Sequence, residues 1–473
     1  MHISRCVAAV VIPIVSLSQN VCAADQIVGA RTALDEYITK PDSAYSWKVA
    51  KTVRNSPNTI YVVDLKSQHW RTQEDVNRTL WQHWLMVIKP ERVEHETALL
   101  FIGGGRNGKP APDRVRGDLV AIAQQTKSVV AELGMVPNQP LVFHGDGKER
   151  VEDDLIAYSW VQYLRTGDAT WLPRFPMAKS AVRAMDAITE LLAGEQGGNV
   201  TVNRFVVAGG SKRGWTTWIT AAVDKRVVAA IPIVIDVLNV RKSMIHHYSA
   251  YGFWAPAIGD YVRHKIPEWM DTPEYAALLK LVDPYSYRDR LTMPKYMVNA
   301  TGDQFFLPDS SQFYFDDLKG PKYLRYVPNA DHSLKESDAM ASIEAFYHAI
   351  LRSTPLPKFS WRIEADQSIR VLVQDRPEHV HLWQATNPKA RDFRLETLGK
   401  VWQKSKLTPN SAGEYVAIVE PPPTGWTAFL VELIYPSGER YPFKFTTQVH
   451  VVPNRLPHSI EEWRKTRLLP SPR

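Results

Sequence analysis

Arg204-Phe-Val-Val-Ala-Gly-Gly-Ser-Lys-Arg-Gly214 is the stretch whose reading decides the fold. Four apolar residues, Phe205 to Ala208, read as a buried strand, and Gly209-Gly210 supply a bend that side chains would obstruct. Ser211 falls at the apex, and Trp215 to Val223 continues with helix-compatible spacing. A serine on such a turn stands clear of the sheet, and the N-terminus of the next helix favours an anion developing beside it. The usual nucleophile-elbow pattern is Gly-x-Ser-x-Gly, whereas here position 213 is arginine and the glycine comes one later, at Gly214. The plainer alternative is a strand-to-helix turn in which Ser211 only caps the helix.

The order of residues downstream favours the elbow. A hydrolase of this kind needs an acid and then a histidine after the serine. Lys295-Tyr-Met-Val-Asn-Ala-Thr-Gly-Asp303 reads as a strand ending in an acid, and Lys322-Tyr-Leu-Arg-Tyr-Val-Pro-Asn-Ala-Asp-His332 as a strand ending in a histidine. Ser211, Asp303 and His332 thus fall at the C-terminal ends of three expected strands, the edge where parallel α/β sheets build their sites. Asp236 ends another strand and is the rival acid, while Asp331 reads as a turn residue. Ala98-Leu-Leu-Phe-Ile-Gly-Gly-Gly105 is an earlier strand ending in glycines. Backbone N–H groups of Gly104 and Gly105, with that of Lys212 just after the serine, are the expected oxyanion donors. The loop lacks the Gly-Lys-Ser/Thr ending of a phosphate-binding P-loop and a dinucleotide fingerprint. The Lys212 and Arg213 side chains are read as packing behind the site rather than meeting an acidic substrate group.

Four longer motifs carry a resemblance. Gly-Gly-Ser-Lys-Arg-Gly-Trp-Thr-Thr-Trp, Ile-Asp-Val-Leu-Asn (235–239), Thr-Gly-Asp-Gln-Phe-Phe-Leu-Pro-Asp-Ser (301–310) and Asn-Ala-Asp-His-Ser-Leu (329–334) make the chain similar to the PhoPQ-activated pathogenicity-related protein family, from about residue 30 to about 450. The resemblance implies an α/β-hydrolase-like fold and a link to bacterial virulence and resistance to cationic peptides. It names a fold and a setting more firmly than a substrate.

Met1 to Ala23 reads as a secretory signal: Arg5, the apolar run Cys6 to Leu17, then Val21-Cys-Ala before a cut at Ala24. The run is too short to span a bilayer, and Asn20-Val21 before Cys22 speaks against a lipoprotein. Cys6 and Cys22 are the chain's 2 cysteines, so the expected mature protein has no disulfide, thiolate nucleophile or cysteine metal site. No cofactor or metal is expected. The expected location is periplasmic or extracellular. Net charge is +7 over 473 residues, with Lys and Arg scattered singly, which disfavours nucleic acid and leaves at most a weak attraction to anionic envelope surfaces.

Strands alternating with helices from 24 to 354 imply an α/β-hydrolase fold: a mostly parallel sheet covered by helices on both faces. The alternation stops between Val240 and Leu291, an aromatic-rich insertion read as a cap over the site, whose His246-His247 are read as structural. Pro355-Leu-Pro357 marks a linker. Short strands from 358 to 451 then read as a separate, small Ig-like β-sandwich, and 452–473 as a C-terminal tail. Two functions fit: a serine hydrolase acting on a small-molecule ester or a peptide, or a secreted binding or signalling protein that keeps the fold without turnover.

Overall fold

A computed structural model describes residues 31–465 apart from Ser56. The expected signal segment, the cut at Ala24 and the last residues of the tail lie outside the described residues. Nine strands build the first part of the main sheet: β1 (Ser46–Asn55), β2 (Asn58–His69), β3 (Leu80–Pro90), β4 (Thr97–Ile102), β5 (Val130–Leu133), β6 (Arg204–Gly210), β7 (Val227–Ile233), β8 (Lys295–Ala300) and β9 (Lys322–Val327). Their spatial order is 1-2-3-5-4-6-7-8-9. β1 to β3 form an antiparallel meander whose last strand pairs antiparallel with β5. From β5 through β4 to β9 every pairing is parallel.

The sequence of β4 explains why this part must be central. All six of its residues are buried, so alternate side chains feed two different cores. Leu100 and Ile102 join one core with Phe205, Val207, Leu155 and Trp218, under helices Glu152–Thr166, Arg174–Ala193 and Lys212–Val223. Leu99 and Phe101 join the other with Val206, Ile231, Ile122 and Phe346, under helices Gly117–Thr126 and Ala339–Arg352. Six parallel strands covered on both faces, with a sharp turn after β6 and a helical insertion after β7, constitute an α/β-hydrolase fold. The insertion holds helices Val240–Tyr251, Gly259–Arg263 and Pro273–Val282.

The C-terminal strands correct one expectation. β10 (Phe359–Ile363), β11 (Ile369–Val373) and β14 (Tyr415–Ala417) form a small sheet of their own. β12 (His379–Asn387), β13 (Gln403–Lys406), β15 (Trp426–Tyr435), β16 (Phe443–Thr446) and β17 (His450–Val452) do not: they extend the main sheet in the order 9-16-15-12-13, with β17 on β15. The junction is antiparallel, Thr446 opposite Leu324, and Thr446 Oγ1 accepts the Tyr326 N–H at 3.0 Å. The cause is the edge of β9, whose polar backbone needs a partner once aromatic residues bury it. Phe445 packs on Tyr296 and Tyr323, and buried Arg325 bonds Glu432 across the seam. The two sheets still face each other, as Phe359 stacking on Tyr435 and Phe445 shows. Within the C-terminal tail, Ile460–Lys465 is a helix whose Trp463 packs edge-on against Trp254 of the cap.

Candidate active site

Ser211 follows β6 with φ +58° and ψ −126°, a conformation that a non-glycine residue holds only at a cost of order 1–3 kcal/mol. Its side chain makes no helix-capping hydrogen bond, which removes the reading of Ser211 as a mere N-cap. The shifted glycine also has a structural reason. A Cβ on Gly214 would stand 2.8 Å from the Gly209 carbonyl oxygen and 2.9 Å from that of Ile233, and one on Gly209 would stand 2.8 Å from the Arg213 carbonyl oxygen. Strand and helix therefore touch backbone to backbone through Gly209 and Gly214, and position 213 is free to carry a side chain.

The loops after β8 and β9 bring the acid to the base. Asp303 Oδ2 accepts a hydrogen bond from His332 Nδ1 at 2.8 Å, and its Oδ1 accepts the backbone N–H groups of Phe305 at 2.7 Å and Phe306 at 3.3 Å. Asp303 is buried, and the ring of Phe305 lies 4.3 Å from that of His332. The base is thereby fixed in orientation and tautomer. Its other nitrogen, Nε2, is buried without a hydrogen-bond partner among the described residues. Ser211 and His332 line one cleft but do not hydrogen-bond to each other, a looseness common before substrate arrives.

The rival acid serves elsewhere. Asp236 accepts hydrogen bonds from the hydroxyls of Tyr314 at 2.7 Å and Tyr326 at 2.5 Å. Burial pushes its carboxyl up to about 8, against those two hydrogen bonds and with help from the nearby Asp303 and Asp309. A carboxyl that keeps its proton near neutrality cannot stabilise an imidazolium. Asp331 is the turn residue expected, accepting from Ser333 N–H and Oγ.

Gly103 and Gly104 line the cleft with Ser211, but the Gly103 N–H is already spent on the Leu133 carbonyl at 2.8 Å. Gly105, exposed and turned against Met135 with φ +142°, lies outside the cleft. Of the expected loop donors, Gly104 is the one that lines the cleft. Lys212 opens the helix that follows Ser211, so its N–H has no intrahelical partner. Its side chain pairs with acids beside the site rather than lying behind it: Nζ reaches Glu152 at 2.7 Å and Asp153 at 3.2 Å, and Arg213, which lines the cleft with Ser211, bonds the same Glu152 at 2.6 Å. Burial works to raise the Glu152 carboxyl, yet Lys212 and Arg213 bring it down to about 2. Gln139 donates to both Glu152 and the Gly105 carbonyl, so one polar network ties the glycine loop to the elbow helix.

On the other side of Ser211 the cap closes an apolar chamber of about 70 Å³. Trp160, Trp215, Met244, Tyr261, Tyr275 and Phe305 are among its walls, together with Asp153 and two buried cations, Arg174 and Lys212. Tyr261 and Tyr275 are the aromatic residues that the insertion contributes to the chamber. Trp254 packs on Tyr248 instead, and His247 accepts the Ala255 N–H while His246 bonds Asp309. Glu152, Arg174 and Tyr261 carried no signal in the sequence, because a helical Glu, Arg or Tyr looks the same whether it faces solvent or a site. Among the described residues no group of three or more His, Cys, Asp or Glu is placed to hold a metal ion, and no helix is long and apolar enough to cross a membrane.

The family model of the PhoPQ-activated pathogenicity-related proteins matches residues 34–394. Autocrine proliferation repressor protein A of Dictyostelium discoideum is 37% identical over 455 residues, which cover 90% of this chain and 91% of that protein. Among solved structures, the acetyl xylan esterase from Paenibacillus sp. R4 is similar at a TM-score of 0.44 and 17% identity, over 63% of this chain and 86% of that one. Acetyl xylan esterase 1 from Thermoanaerobacterium sp. JW/SL YS485 is similar at 0.46 and 14%, over 68% and 94%. Likeness that distant bears on neither substrate nor mechanism. The sequence match spans the elbow, the acid loop and the histidine loop together, and by it this chain belongs to the PhoPQ-activated pathogenicity-related protein family.

Proposed function

We propose that this protein is an exported serine hydrolase that cleaves an ester or amide bond. Ser211 Oγ attacks the carbonyl carbon while His332 Nε2 takes its proton, and Asp303 holds the imidazole and stabilises its charge. The N–H groups of Lys212 and Gly104 receive the oxyanion. Collapse expels the alcohol or amine, which leaves with the proton from His332. Water then attacks the acyl-enzyme, with the same histidine as base. The observation that carries the reading is the orphaned Nε2 of a histidine anchored by Asp303, on one cleft with a strained serine whose hydroxyl caps nothing.

Esterase and peptidase action fit the site equally well, and a peptidase would connect to the cationic-peptide setting that the family resemblance implies. Purified protein should be assayed against a panel of acyl esters and peptide amides. Turnover lost in Ser211→Ala supports the reading. Turnover that survives Ser211→Ala overturns it. The second reading is a secreted signal that keeps the fold without turnover, favoured by the name of the Dictyostelium relative, which speaks of repressing proliferation.

A further inference from the structure

Arg174 opens the helix Arg174–Ala193, is 1% exposed and lines the chamber beside Ser211. Its Nη1 donates to the Lys212 carbonyl at 2.8 Å, so the guanidinium lies one residue from the nucleophile. The planar group stacks 4.4 Å from the Trp215 ring, and its Nε is buried with no partner among the described residues. No carboxylate among them comes within ion-pair distance of it. The nearest carboxylates are committed. Glu152 holds Lys212 and Arg213, and Asp153 is shared between Lys212 and the Tyr261 hydroxyl. Asp154 turns to His264 and Lys148, and Asp260 to Arg263. Around the elbow three cations face two carboxylates, which leaves one positive charge over inside an apolar chamber. Burial of an unpaired charge is expensive, and a carbonyl with an aromatic face offsets only part of that cost.

We infer that Arg174 is the receptor for a carboxylate on the substrate, so that the chamber takes an apolar group bearing one negative charge close to the scissile carbonyl. The inference rests on the hydrolase reading for the word substrate, but the anion site itself does not. An arginine fork meets a carboxylate with two parallel hydrogen bonds, and in a dry chamber such bonds discriminate strongly against a neutral isostere.

The probes are propionate and its neutral isostere propanamide, small enough for the chamber, titrated into the protein and followed by its tryptophan fluorescence. The carboxylate is expected to bind about 10- to 100-fold more tightly than the amide, as a charge-assisted pair in a buried site does. It is also expected to protect Ser211 from a fluorophosphonate. Arg174→Gln should bring the two affinities together, and Arg174→Lys, which keeps the charge without the fork, should retain a reduced preference. Equal binding of the two probes by the unaltered protein overturns the inference without any variant. A preference that persists in Arg174→Gln overturns it as well, since the anion then sits elsewhere. Fluorophosphonate labelling separates this outcome from the fate of the hydrolase reading. Labelled Ser211 with no carboxylate preference leaves a hydrolase without this receptor, and a carboxylate preference with no labelling leaves an anion site without the hydrolase.

Discussion

At the scale of single residues, two acids near the site lie in opposite environments. Asp303 meets backbone N–H groups and His332, whereas Asp236 meets two tyrosine hydroxyls in a fully buried place. Asp303→Asn is therefore expected to lower kcat about 10⁴-fold by presenting the wrong imidazole tautomer, while Asp236→Asn should cost less than about tenfold. Steady-state rates on any substrate found in the panel check the pair. Asp236 also predicts a pH dependence of stability. Its carboxyl is raised from 3.8 to about 8 on folding, so between about pH 4 and pH 8 the folded state binds the extra proton. That contribution is fully present below pH 4 and is lost as the pH rises through 8. Asp236→Asn removes this loss, so its stability relative to the unaltered protein should improve from pH 5 to pH 8 by a few kcal/mol, on the order of 1.4 kcal/mol for each pH step of one. Urea unfolding at both pH values measures it, and a difference that stays constant with pH would contradict it.

At the scale of elements, the elbow is a contact between a strand and a helix, and its glycines do different work from those of the usual pattern. Gly214→Ala drives a Cβ into two backbone carbonyl oxygens that cannot move independently. It should cost about 3 kcal/mol or more and slow labelling of Ser211, whereas Arg213→Ala should leave the backbone geometry intact. Thermal unfolding of the two variants compares them. This element was legible in the sequence because Phe205 to Ala208, two glycines and a serine each pushed toward the same turn. The chain order of Asp303 and His332 was legible for the same reason: each closes an apolar strand with a sharp turn. The pairing of β16 with β9 was not, because Phe443 to Thr446 has the same alternation whether or not a second strand lies beside it. Arg174 was not legible either, since burial of a helical arginine is decided by the cap, about a hundred residues further along the chain.

At the scale of the whole molecule, the C-terminal strands continue the main sheet rather than forming an appendage. Their loop supplies Arg391, buried and bonded to Asp309, and the Leu395 N–H donates to the Gly302 carbonyl immediately before the acid. Cleavage near the exposed Pro355 should therefore leave the two pieces associated, and calorimetry should show a single unfolding transition. A chain ending at residue 357 should fail to fold, since it would bare β9 and remove a third of one core. Two independent transitions, or a soluble and folded truncated chain, would restore the separate domain. What all three scales serve is one nucleophile, and the direct measurement is the mass of the intact protein after exposure to a fluorophosphonate, followed by peptide mapping. A single adduct on Ser211 is expected, absent from Ser211→Ala and formed several orders of magnitude more slowly in His332→Ala. An unmodified protein, or an adduct that persists in Ser211→Ala, would show that Ser211 is not the nucleophile.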